Sequence, residues 1–198
     1  MAQVTSMKIR REHLGDHAAV KGTMLNAHLG WARKELGDVS RLAAHLDGPC
    51  RAFVDRPTLS NIWVPFRCVI QIDRAIAAVA GGAADAVFRK LGRHSATLNL
   101  GGVYKNFVAD EPHRIFQQMV ILHRQFQNFG EWSYEKMGKQ SGRIALRDYA
   151  EFSPVYCASG IGYFEGALRM LKVPGPIAVA ETSCQCAGDA TCVFEMKW

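Results

Sequence analysis

The sequence predicts an α+β fold, with N-terminal helices packed on an antiparallel sheet of about four strands. Three observations predict it. Apolar residues recur at helical intervals through the first two-thirds of the chain. After Gly130 the pattern changes to short strand-like runs separated by glycine turns. One further helix signal, Ser153-Pro154, falls between two pairs of those runs.

In chain order, residues 1–15 read as a polar N-terminal tail and 16–198 as a single domain, because no Pro/Gly/Ser linker divides them. Val20-Lys21-Gly22 reads as a short strand or turn. Met24, Leu25, His28, Leu29, Ala32 and Leu36 share a helical face that stops at Gly37. A short helix over 39–46 is expected to end at Asp47-Gly48-Pro49. Phe66, Val69, Ile70, Asp73, Ile76 and Val79 give the next helix, opening near Pro65 and closing at Gly81-Gly82. Another is expected over 84–91, with Gly92 as its stop. Asp110-Glu111-Pro112 starts a helix with the apolar stripe Ile115, Phe116, Met119, Leu122, His123, Phe126 and Phe129. Strands follow over 131–137 and 143–149, a helix over 154–171, and strands over 176–184 and 191–198.

Composition excludes several classes. At 48% hydrophobic and 21% charged, the chain is globular rather than disordered. No apolar run reaches the roughly 18 residues a membrane span needs, and the basic start lacks the apolar core of a signal peptide, so a cytoplasmic protein is expected. The net charge of +6 is dispersed, and its densest patch (Lys136, Lys139, Arg143, Arg147) accompanies no nucleic-acid motif. No nucleic-acid partner is expected.

Six cysteines carry the most information. In a reducing compartment they stay thiols, and three within nine residues point to metal or redox chemistry. Cys157, Ile161, Phe164, Leu168 and Leu171 share one helix face, so Cys157 lies buried near a helix N-terminus, where the dipole favours a thiolate. Glu181-x-x-Cys184 and Cys192 come from the final two strands, joined through Gly188-Asp189. Taken singly, each cysteine packs as a small hydrophobe more often than it binds metal. Taken with Glu181, the set predicts a closed four-ligand site, Cys157, Glu181, Cys184 and Cys192, holding a structural zinc ion. Cys186 is expected on a strand, pointing away, as a spare thiol; with Cys184 it lacks the Cys-x-x-Cys spacing of a redox pair. Gly160, Gly162 and Gly166 weaken the helix and imply close approach to the sheet.

The run Pro154-Val-Tyr-Cys157-Ala-Ser-Gly160-Ile-Gly-Tyr163, with Glu181-Thr-Ser-Cys184 and Gly188-Asp-Ala-Thr-Cys192-Val-Phe194, resembles the 4-vinyl reductase domain. That domain also forms the sensory half of bacterial activators of aromatic catabolism. The resemblance covers 154–198 and implies zinc at the same four positions. It also implies a fold similar to haem-NO-binding domains and TRAPP-type trafficking subunits, often as a homodimer. The guest it implies is a hydrophobic or aromatic small molecule in a sensory role, with a separate regulatory protein as a further partner. Pocket candidates are His113, Phe116, His123, Phe126, Trp132, Tyr134 and Tyr163. A tetrapyrrole vinyl reductase, or its accessory subunit, is the first alternative, and a ligand-free interaction scaffold the second. No Gly-x-Gly-x-x-Gly loop supports a nicotinamide cofactor. No Tyr-x-Ser-x-Arg run or evident axial histidine supports haem, so neither is expected and no catalytic residue is assigned.

Overall fold

The computed structural model describes residues 10–102 and 111–198. The short strand β1 (Ala19–Lys21) pairs antiparallel with β2 (Trp63–Pro65), and each leads directly into a helix, α1 (Gly22–Leu36) and α3 (Phe66–Ala80). Between them lie a 3-10 turn over Ser40–His45 and α2 (Gly48–Asp55). Next come α4 (Ala84–Gly101) and α5 (Pro112–Leu122). A four-stranded antiparallel sheet completes the fold, in the order β3 (Glu131–Gly138), β4 (Ser141–Arg147), β6 (Cys192–Lys197), β5 (Ala178–Ser183). Helix α6 (Pro154–Met170) links its two hairpins. The α+β class, with helices on an antiparallel sheet, is the observed one.

Local chemistry sets the helix starts. Ser153 Oγ accepts from the Val155 amide with Pro154 in the first turn of α6. Glu111 accepts from the amides of His113 and Arg114 ahead of α5; Asp110, the other part of that start signal, lies outside the described residues. Asp47-Gly48-Pro49 corrects the expectation of a helix end. Asp47 accepts from the Cys50 amide at 2.9 Å and caps α2, with proline in the first turn.

Two further corrections concern glycine. Gly92 does not stop α4, which continues to Gly101. A Cβ at Gly92 would lie 1.9 Å from the Ser159 carbonyl oxygen of α6, and one at Gly162 would lie 2.0 Å from the Arg89 carbonyl oxygen of α4. The α6 glycines therefore serve a helix–helix crossing, not only the sheet. Gly160 alone turns to the sheet, at an ordinary 3.6 Å from Phe194. Helix α6 is thus buried on both sides, against α4 and beneath Phe194 and Trp132, whose rings contact Phe164.

The thiols are not all reduced. Cys50 of α2 and Cys68 of α3 form a fully buried disulfide closing a separation of 18 residues. Cys157, Cys184, Cys186 and Cys192 remain unbridged.

The segment 10–15, expected as tail, is pinned to the body. His13 and Phe152 exchange both backbone hydrogen bonds, at 2.9 and 2.8 Å. Glu12 accepts from Ser153 Oγ and pairs with Arg74, and the Gly15 amide donates to Glu151.

Candidate functional site

Three elements bring four donors together. Cys157 comes from the first turn of α6, Glu181 from β5, Cys184 from the residue after β5 and Cys192 from the start of β6. All four ligand atoms lie within 4.8 Å of one another. Cys157 Sγ is 3.7 Å from Cys184 Sγ and 3.9 Å from Cys192 Sγ. With a zinc–sulfur bond of about 2.3 Å, a tetrahedron has an edge of about 3.8 Å. Both of these sulfur pairs stand at that spacing.

The turn between β5 and β6 holds them there. Asp189 accepts from the Cys184 amide at 2.8 Å, Ser183 Oγ donates to the Thr191 carbonyl at 2.7 Å, and Gly188 takes the left-handed conformation with φ 95°. The Gln185 amide donates to Cys192 Sγ at 3.3 Å, a contact that stabilises a thiolate. Glu181 Oε1 is buried with no partner among the described residues. A buried oxygen so placed costs free energy until a cation meets it. Burial pushes the Glu181 carboxyl up to about 7, and Cys184 adds to the rise. Cys184 is held low by the hydrogen bond from Cys157, which is itself pushed up by giving it. Cys186 is not on a strand as expected. It sits in a 3-10 turn after Cys184, fully buried, its thiol interacting with Cys157 and Cys184.

Beside this cluster, α6 also walls an apolar cavity of about 100 Å³. Of the seven pocket candidates, His123, Phe126, Trp132 and Tyr163 line it. His113, Phe116 and Tyr134 do not. They cluster with Trp198, and both His113 nitrogens are satisfied, by the Tyr134 hydroxyl and the Lys139 carbonyl. These three belong to the packing behind the sheet hairpin.

His123 differs. Its Nδ1 lies 2.6 Å from the Val120 carbonyl, which can only accept, so Nδ1 carries the proton. Its Nε2 is buried with no partner among the described residues, and its ring stacks on Trp132 at 14°. Sequence reasoning missed other wall residues. His28 lines the cavity with Nδ1 bonded at 2.7 Å to the buried Asp73, whose charge on an apolar helix face was a readable signal. Ser95 Oγ is likewise buried on the wall and lacks a partner among the described residues. A satisfied network closes one end. Tyr156 donates to Gln127 at 2.8 Å, and Trp132 donates to Tyr149 at 2.6 Å. Burial pushes the Tyr149 phenol up to about 12, so it stays protonated.

No protein-family model and no curated protein sequence matches this chain. Solved structures do. An Fe(II) unliganded H-NOX protein from K. algicida superposes with a TM-score of 0.68 at 11% identity, covering 89% of this chain and 95% of that one. An oxygen-binding H-NOX domain related to soluble guanylate cyclases superposes at 0.65 and 15% identity, covering 89% and 94%. The fold is that of H-NOX domains. A third match, at 0.65 and 15% identity over 90% of this chain and 94% of that one, is described as probing heme distortion in the H-NOX family.

These matches correct the expectation that haem need not be considered for this chain, since structures sharing its fold are described in terms of heme distortion and oxygen binding. His123 presents an unpartnered imidazole nitrogen on an apolar wall, the donor an iron would take. The space does not match it. An engineered cavity of about 150 Å³ holds benzene, so about 100 Å³ is on the scale of one small ring and far short of a porphyrin. The nitrogen fits haem and the present volume does not, so no step is derived through that group. Among the described residues, no helix is long and apolar enough to cross a membrane.

Proposed function

We propose that the protein is a small-molecule-binding module of sensory type, with a guest about the size of one ring held between α1, α4, α6 and the sheet. The observation that carries the reading is His123 Nε2, a buried lone pair without a partner among the described residues, on the wall of an apolar cavity. An apolar body would satisfy the wall, and an O–H or N–H on that body would satisfy the nitrogen. The H-NOX-like fold and the resemblance of 154–198 to 4-vinyl reductase domains both support such a role. In this reading 16–198 act as one domain, as a homodimer signalling to a separate protein.

The same reading gives Cys157, Glu181, Cys184 and Cys192 a thiophilic divalent ion of the zinc class. The ion would tie α6 to the β5–β6 turn. Since α6 also supplies Tyr156, Ser159, Gly160, Tyr163 and Phe164 to the cavity, metal and guest would share one wall.

Trp132 makes the test direct, because it lines the cavity and stacks on His123. In a titration of single-ring compounds, those with a hydroxyl or amine are expected to change its fluorescence. They should bind roughly 10- to 100-fold more tightly than benzene or toluene, the worth of one bond to an otherwise unpaired group. Equal affinity for both sets, or no response from any, overturns the proposal. Haem is the second reading, carried by the same nitrogen. A Soret shift on adding hemin that disappears in His123→Phe would select it.

A further inference from the structure

We propose that Arg10 is the positioning residue of the metal site, and that residues 10–13 form a strap latched by the bound ion. The inference rests on the metal reading above and adds to it a residue outside the four donors. Arg10 Nη2 donates to Glu181 Oε2 at 2.6 Å and to Cys184 Sγ at 3.0 Å, so one nitrogen touches two of the donors. With Oε2 held, the carboxylate can rotate little, and the unpartnered Oε1 is left as the single oxygen for an ion. Glu181 therefore enters as a one-oxygen ligand, which a tetrahedral shell requires. Outer groups that orient ligands in this way are worth roughly 10- to 100-fold in metal affinity.

Charge points the same way. Three thiolates and a carboxylate carry four negative charges and a divalent ion returns two. Arg10 places a cation against the remainder, on a side chain 36% exposed beside a Glu181 side chain 11% exposed. The next residue continues the contact. The Arg11 amide donates at 2.6 Å to the carbonyl of Cys186, in the turn that follows Cys184, and two residues on His13 pairs with Phe152. The strap thus spans from the metal loop to the chain just ahead of the Ser153 cap of α6.

The test uses the full chain and the metal alone. Competition of zinc against a chelator is expected to show Arg10→Gln weaker than wild type by about tenfold or more, with Arg10→Lys between them, since an ammonium restores charge without the guanidinium geometry. Hydrogen exchange at the Arg11 amide is expected to be slow in zinc-loaded wild type, and fast after chelation or in loaded Arg10→Gln. Glu12→Gln, which weakens the strap's other anchor and leaves the Arg10 contacts, should lower affinity less. Equal zinc affinity of wild type and Arg10→Gln, or an equal loss in Glu12→Gln, overturns the role of Arg10. Wild type that binds no zinc overturns the underlying metal reading instead.

Discussion

Two histidines on one helical stretch show what decides a role at the scale of a residue. His113 opens α5 and His123 follows its end, and the apolar stripe between them suggested a shared wall. The structure separates them by hydrogen bonding. His113 donates or accepts at both nitrogens and packs against Trp198 and Tyr134; His123 uses Nδ1 alone. Opposite outcomes are therefore expected on substitution. His113→Phe leaves the Lys139 carbonyl and the Tyr134 hydroxyl without their partner, which costs about 1–3 kcal/mol of stability. His123→Phe preserves the stack on Trp132 and removes Nε2, which has no partner among the described residues, together with the single bond from Nδ1 to the Val120 carbonyl, so stability should fall by no more than about 1 kcal/mol while ring-donor binding is lost. Denaturant unfolding with and without ligand measures both, and similar destabilisation by the two would contradict the assignment. Spacing could place His123 on a helical stripe. It could not show that α5 tightens into a 3-10 turn at His123, nor what faces each ring.

At the scale of elements, the donor quartet was readable because its members sit at signals that survive without tertiary knowledge. Cys157 follows a proline start, and Cys184 and Cys192 flank a glycine turn. The glycines were harder. Their cost to a helix is a property of sequence, but their partner is a property of packing, and α4 meets α6 at Gly92 and Gly162. That crossing also explains why α4 runs through Gly92. A residue that ends helices by conformational freedom is here used for its missing side chain. Gly162→Ala and Gly92→Ala would each force backbones apart, at a cost of about 1–3 kcal/mol or more. Gly160→Ala meets only Phe194 at 3.6 Å and exchanges a poor helix former for the best, so it should be neutral or stabilising by up to about 1 kcal/mol. Thermal unfolding of the three variants checks the order, and a destabilised Gly160→Ala together with a tolerant Gly162→Ala would reverse the packing described.

Across the whole molecule, cysteine chemistry divides along the chain. The N-terminal helices hold a disulfide, whereas the four thiols come later, Cys157 on α6 and Cys184, Cys186 and Cys192 in the final hairpin. Sequence read both groups by one rule of compartment, which is why Cys50 and Cys68 were expected to be reduced. What pairs them is position: α2 starts at the Asp47 cap and lays Cys50 against the first turn of α3. Closing 18 residues in the unfolded chain removes entropy worth about 3 kcal/mol by the loop model. Cys50→Ser with Cys68→Ser is therefore expected to lower unfolding free energy by about that amount. The bridge and the donor cluster share no residue, so zinc stoichiometry should stay at wild-type level in the double variant. Conversely, Cys192→Ser should lose metal and leave the Cys50–Cys68 bridge formed. Thiol counting under denaturing conditions, paired with elemental analysis, reads both at once. If removing the bridge also abolished zinc binding at the proposed site, the two halves would be coupled more tightly than their separate chemistry requires.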